Sequence, residues 1–453
     1  MNIRNLILCV TLIFTLTGCE SFLFFREHED FVKVKGTHFT ISGKPYYYAG
    51  ANLWYGCYLG SPGGTGDRKR LLRELDTLQA HGITNLRILA ASEESYLKRA
   101  IVPGIQRAPG VVDDSLVEGL DFLLAEMAKR RMHAVLFLTN YWEWSGGMAQ
   151  YMAWATDTIG ADPEDPQKGY LAFMDYSARF YSNPRAVRFY LDYVHKIVAR
   201  KNSINGRLYV EDPAIMAWQL ANEPRPGSQW PGDFAKTNLR AYYAWIDQSA
   251  RYIHSLDTNH LVSTGSEGLA GSLQSDDCYI NAHKTSAIDY LTVHIWPFNW
   301  QWFNPNKIDE TLPSSETNTI DCIAQHLSFA RTLQKPIVLE EFGLDRDSAS
   351  FKATSTTRAR DHFFFKIFGA IYDSAKAGSP IAGSNFWAWS GEGQAQHPDG
   401  IWQKGDMFVG DPPQELQGHN SIFSTDTSTL KIISEHAMKM HSLAEVNSLP
   451  ELR

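Results

Sequence analysis

Two glutamates close short, β-rich apolar runs. Glu223 ends the stretch Gln219-Leu220-Ala221-Asn222-Glu223-Pro224, and Glu341 ends Val338-Leu339-Glu340-Glu341-Phe342-Gly343. If both runs are strands of one parallel barrel, their carboxyl ends share a face, and two carboxylates facing across its mouth can flank one bond. With the carboxyl groups about 5 Å apart, one can attack an anomeric carbon while the other protonates the leaving oxygen, which is retaining glycosidic cleavage. Glu340 is the rival to Glu341. Strict strand alternation points neighbours to opposite faces, so only one of the two faces the cleft. Arg87 and His294 also stand at run ends. A cation within a few ångströms lowers a carboxylate's pKa, and an imidazole can orient a carboxylate or a hydroxyl. Taken singly, each has a plainer reading: solvated carboxylate, structural ion pair, strand-end cap for Asn222, satisfied core histidine. The pair at matched strand ends is what favours chemistry.

The remaining chain reads as the scaffold such a pair needs. Short β-rich runs alternate with amphipathic helical stretches, as in a parallel sheet with helical crossovers. Eight runs are legible, over 46–54, 83–89, 133–139, 214–222, 261–266, 290–296, 336–342 and 381–389. Asp67 can cap a helix whose Leu71, Leu72, Leu75 and Leu78 share one face and which Gly82 ends, while Asn183-Pro184 opens another with N-cap and N1 chemistry. Further helices are predicted over 116–129, 239–254, 320–333, 358–375 and 430–441, with the fifth-to-sixth crossover weak. Eight strands with right-handed crossovers close into a barrel, whereas an open doubly wound sheet would call for a glycine-rich phosphate turn. The expected fold class is α/β, a single (β/α)8 TIM barrel over 31–453, with residues 31–44 as a hairpin closing one mouth.

Three stretches after strands, 140–182, 297–318 and 390–427, exceed a usual βα loop. Long loops on that face imply a built-up substrate site. Nearly all of the 13 tryptophans, Trp142 among them, fall at strand ends or in these loops rather than in helices. Trp is the usual platform for sugar rings, so this clustering favours a carbohydrate cleft over core packing. A formal charge of −8 without a long basic run argues against nucleic acid. Nothing suggests a metal or cofactor.

Residues 1–18 read as an export signal: Arg4, an apolar stretch over 6–16, then Leu16-Thr17-Gly18-Cys19, which resembles a bacterial lipobox. Cys19 would carry lipid and residues 19–30 would tether the domain, placing the protein in a bacterial cell envelope, outer membrane favoured. Cys57, Cys278 and Cys322 remain. An odd number allows one bridge at most, and free buried thiols are as plausible.

Residues 220–224 and 339–343 resemble the acid/base and nucleophile motifs of glycoside hydrolase family 5, and the resemblance covers most of the chain from residue 31. Asn85-Leu86-Arg87-Ile88, Val293-His294-Ile295-Trp296-Pro297 and Asn385-Phe386-Trp387-Ala388-Trp389 match in order. The chain looks most similar to the mannan-cleaving branch, which holds endo-β-1,4-mannanases and exo-acting β-mannosidases. The resemblance implies Glu223 as acid/base, Glu341 as nucleophile, Asn222 on the sugar 2-hydroxyl, Arg225 on the sugar chain and Trp387 as the floor under the cleaved sugar. Trp296 stands where many members have Tyr; an indole donates but accepts nothing. The implied reaction is retaining cleavage of β-1,4-mannosidic bonds in mannan or mannooligosaccharides, leaning to exo action. An endo-mannanase, a β-1,4-glucanase and a non-catalytic glycan-binding lipoprotein are the alternatives.

Overall fold

The computed structural model describes residues 31–229 and 233–446. The expected signal, the tether and Cys19 lie outside the described residues. Among the described residues no helix is long and apolar enough to cross a membrane.

Each of the eight expected runs contains a parallel strand: β1 (Tyr48–Asn52), β2 (Asn85–Leu89), β3 (His133–Phe137), β4 (Ile215–Gln219), β5 (Leu261–Ser263), β6 (Leu291–Ile295), β7 (Ile337–Phe342) and β8 (Ile381–Phe386). The ladder runs β5-β4-β3-β2-β1-β8-β7-β6. The seam between β5 and β6, where the crossover reads weakly, is bridged by single bonds. Asp289 exchanges two with Val262, through its amide at 2.8 Å and its carboxylate at 2.7 Å, and the Thr292 hydroxyl reaches the Ser266 carbonyl at 2.7 Å. The barrel is thereby nearly closed, with helices around it.

The hairpin is a three-stranded antiparallel sheet, Val32–Lys35, His38–Ile41 and Lys44–Tyr46. Its third strand takes residue 46 from the first predicted run, so β1 starts at Tyr48. Val32 and Phe39 pack on Tyr48, Val135, Met216, Ala217, Leu261, Tyr290, Val338 and Ala382, residues at or near the strand starts. This plugs the amino-terminal end of the barrel.

Local signals worked where local chemistry decides. The Asp67 carboxylate accepts the Arg70 amide at 2.9 Å at the head of the helix Arg68–Ala80, and Asn183 caps Pro184–Val198 with Pro184 in the first turn. Two predicted loops are partly helical. Residues 140–182 contain Gly147–Thr156 and Gly169–Ala178, and the helix Ile308–Leu333 begins well before residue 320. Pro313 lies inside that helix and forgoes the bond to the Asp309 carbonyl, which solvent can serve because Asp309 is exposed. The 390–427 stretch is irregular apart from the short strands Trp389–Gly391 and Ile422–Phe423.

Not every tryptophan at a strand end is a cleft residue. Trp54 and Trp389 are fully buried, and Trp54 packs on Tyr55, Tyr58, Trp144 and Phe408 as core. A strand end in a barrel is covered by the next loop, so position at a strand end does not ensure exposure. Cys57, Cys278 and Cys322 are free thiols, which removes the single-bridge alternative.

Candidate active site

Glu223 lies four residues past β4 with φ +48, a left-handed conformation unusual for a residue with a side chain. Its amide donates to the Gly265 carbonyl at 2.9 Å, and Gly265 itself has φ +73. A Cβ there would lie 2.0 Å from the Ala221 carbonyl oxygen, so only glycine lets the two strand ends approach this closely. Such strained backbone costs about 1–3 kcal/mol and persists where surrounding structure holds it, commonly at functional sites.

Three groups from different strands meet at one point. His294 of β6 is fully buried, with Nδ1 2.7 Å from Glu223 Oε1 and 3.4 Å from Glu341 Oε2. Arg87 of β2 donates through Nη1 to Glu341 Oε1, through Nε to Gln219 Oε1 at 2.8 Å and through Nη2 to Asn222 Oδ1 at 2.8 Å. Asn222 also donates to Asn140 Oδ1 at 3.1 Å. Trp142 donates its indole N–H to Glu223 Oε2.

Glu340 does not point away, contrary to strict alternation. Pairing of β6 with β7 slips at 293/294, so that Val293 faces Leu339 but His294 faces Glu341. This irregularity turns both glutamates toward the barrel axis at different depths. Glu340 is fully buried below, accepting two bonds from the Gln219 amide at 2.7 and 2.6 Å and lying 3.3 Å from Arg87 Nε. Only Glu341 of the two lines the open cavity.

The charges are strongly coupled. Burial pushes the Glu341 carboxyl up to about 7, against the pull of His294 and Arg87, with Glu223 and Glu340 adding repulsion. Burial also opposes ionisation of Glu223, but the His294 bond and charge, then Arg225 and Trp142, overcome it and hold the group at about 2. His294 rises to about 10: burial opposes its charge, and Glu341, Glu223 and Glu340 outweigh burial. Both shifts favour the charged pair, carboxylate and imidazolium. Glu223, His294 and Glu341 also present three potential ligand atoms within 4.8 Å of one another.

A cavity of about 360 Å³ opens over this cluster. Trp296 and Trp387 line it edge-to-face, with centroids 5.8 Å apart. Arg225 pairs with Glu267, and its guanidinium lies 4.8 Å from the Trp142 ring centroid. All nine expected site residues are thus gathered here: Arg87, Trp142, Asn222, Glu223, Arg225, His294, Trp296, Glu341 and Trp387. Sequence reading missed Tyr170, Gln229, Glu267, Gln274, Asn299, Trp300, Gln414 and Glu415, which also line the cavity. Glu267 had a usable signal, a carboxylate immediately after the fifth run. Glu415 had none, since it sits far along an irregular loop.

A model of the GH family 5 beta-mannosidase-like family matches residues 29–445. The chain is 34% identical to the solved family 5 mannosidase of Rhizomucor miehei, covering 92% of this chain and 99% of that one with a TM-score of 0.83. A glutamate-to-alanine variant of that mannosidase, solved in complex with mannosyl-fructose, matches equally, at 34% identity, 92% and 99% coverage and TM-score 0.83. A mannan endo-1,4-beta-mannosidase of Solanum lycopersicum is 29% identical over 83% of this chain and 87% of its own length. A buried carboxylate pair among tryptophans at the carboxyl face of a barrel defines the class, a glycoside hydrolase. Within it, the chain belongs to the β-mannosidase-like family of glycoside hydrolase family 5.

Proposed function

We propose that this enzyme releases mannose from the non-reducing ends of β-1,4-mannooligosaccharides with retention, with Glu341 as nucleophile and Glu223 as acid/base. The observation that carries the mechanism is the meeting of both carboxylates on one imidazole nitrogen, at 2.7 and 3.4 Å. With one oxygen of each within 4.8 Å of the other, the arrangement supports double displacement, which uses a separation of about 5 Å, over single displacement, which needs a wider gap for water. The Glu341 carboxylate attacks the anomeric carbon while Glu223 protonates the departing oxygen. Water then enters, Glu223 takes its proton, and the resulting hydroxide displaces Glu341. The proton Glu223 needs is one transfer away on His294 Nδ1.

The exo reading rests on the loop after β8. Pro412, Gln414 and Glu415 line the cavity, and the charges raising the Glu415 carboxyl, after burial, are Asp411, Glu341 and Glu223 in that order. On this reading Glu415 lies beyond the sugar under attack. Arg225 and Glu267 flank Glu223, on the leaving-group side. A wall beyond that sugar would leave space for one sugar there. Mannose should dominate the earliest products from mannotetraose; early mannobiose and mannotriose with rapid loss of mannan viscosity would replace this reading with endo cleavage, the activity in the name of the tomato relative. A proton NMR time course should show β-mannose first, and α-mannose first would sink retention.

The lipobox-like 16–19 segment supports a further part of the proposal, that the enzyme is exported and held in a bacterial cell envelope by lipid on Cys19. A mature protein whose intact mass lacks an acyl addition would refute it.

A further inference from the structure

Asn140 lies just past β3 and is fully buried. It forms an isolated parallel bridge with Asn222, whose backbone amide donates to the Thr139 carbonyl at 2.8 Å and whose carbonyl accepts the Tyr141 amide at 3.0 Å. The segments after β3 and β4 are thereby held side by side up to the site. The Asn140 side-chain oxygen accepts the Trp142 backbone amide at 3.1 Å, an ordinary turn between an asparagine and the residue two places on. The same oxygen also accepts the Asn222 side-chain amide at 3.1 Å. Asn140 Nδ2 is buried without a partner, which is unfavourable for stability, so the value of this side chain lies in its one oxygen.

Both donors to that oxygen belong to the reacting centre. Trp142 gives its indole N–H to Glu223 Oε2, while Asn222 precedes Glu223 in the chain and lines the cavity. Asn222 Oδ1 is held by Arg87 Nη2 at 2.8 Å and one of its amide hydrogens by Asn140, which leaves the other for the sugar. Without the Asn140 oxygen, the Asn222 amide would keep only its Arg87 anchor, about which its plane can pivot.

We propose that Asn140 is a positioning residue whose single side-chain oxygen sets both the Trp142 donor on the acid/base carboxylate and the Asn222 amide against the sugar 2-hydroxyl. This rests on Glu223 as acid/base and on Asn222 as the 2-hydroxyl partner. Two ratios of kcat/KM test it, and neither depends on how much of a preparation is folded. A nitrophenyl β-mannoside has a leaving group that needs little protonation, so poorer proton donation raises its rate relative to that of mannobiose. The rate on the nitrophenyl mannoside relative to its 2-deoxy analogue falls when the 2-hydroxyl contact is lost. Asn140→Ala should raise the first ratio and lower the second by about tenfold each, on the scale set by about 1 Å of misplacement. Asn140→Asp keeps the oxygen and replaces only the unpartnered nitrogen, so it should hold both ratios near wild type. If the Ala variant does not fold, Asn140→Ser, whose shorter side chain cannot reach both donors, is read in the same way. Either ratio unchanged in the Ala or Ser variant, or an Asp variant indistinguishable from it, would overturn the proposal and leave Asn140 a structural turn residue. Glu223→Ala without a rise in the first ratio would remove the acid/base reading itself, and a wild type indifferent to the 2-deoxy change would remove the Asn222 contact; either result takes the role of Asn140 with it.

Discussion

At its amino-terminal end the barrel is closed by Val32 and Phe39 against Tyr48, Val135, Met216, Leu261, Tyr290, Val338 and Ala382, all buried. At its carboxyl end Glu223, Glu267, Glu340, Glu341, Arg87 and His294 are buried to a similar degree. Apolar contacts are non-directional and each contributes on leaving water. Buried charges are unfavourable unless every one is paired in a set geometry. One end of the same sheet therefore holds the fold together, and the other spends stability on orientation. The separation is feasible because the strands joining the two ends are rigid and hydrogen-bonded along their length.

The largest effect that would test this contrast is at the charged end. Glu341→Ala should lower kcat by about 10⁴-fold or more, as loss of one member of a catalytic unit does. Glu223→Ala should lower it by about 10²–10⁴-fold. Neither should lower the thermal midpoint much, because His294 retains one carboxylate partner and Arg87 retains Glu340 at 3.3 Å. Azide should restore turnover in Glu341→Ala and give α-mannosyl azide. Wild-type-like activity in that variant would transfer the nucleophile role to Glu340.

At the apolar end Phe39→Ala should lose about 3–5 kcal/mol of stability in urea melts, the usual result of truncating a buried aromatic. Phe39 is 1% exposed and meets the Tyr290 ring edge-on at 5.4 Å. The folded fraction should keep wild-type kcat/KM. A fall in kcat/KM without loss of stability would show that the two ends are coupled.

The smallest effect is in pH dependence. With Glu341 at about 7, the nucleophile is protonated below neutrality, so kcat/KM should rise with pH through that region and fall again where His294, at about 10, gives up its proton. The sign for stability is opposite. A carboxyl raised from 4.5 to about 7 binds a proton in the folded state that the unfolded chain has lost, so this group's contribution to stability declines as pH climbs from 4.5 to 7. A kcat/KM already at its plateau at pH 5 would contradict the charge state assigned to the site.

Much of this is legible in the sequence. The eight strands show in the spacing of β-rich runs, Asp67 and Asn183-Pro184 announce their helices, and Arg87, Asn222, Glu223, His294 and Glu341 all lie within those runs or just past them. These features depend on hydrogen bonds and side-chain periodicity within a few residues, which a linear reading samples directly. Other features depend on what barrel closure brings together. The register slip that turns Glu340 inward beside Glu341 depends on how β7 pairs with β6. Trp54 and Trp389 become core because loops fold over them. Glu415 and Tyr170 line one cavity although they are remote in the chain. By itself the sequence determined which residue types would stand at the carboxyl ends of the strands. Only the tertiary structure decided which of them meet at one imidazole, which lie beneath the cavity and which loop residues line it, because burial, charge coupling and packing are set by neighbours remote in the chain.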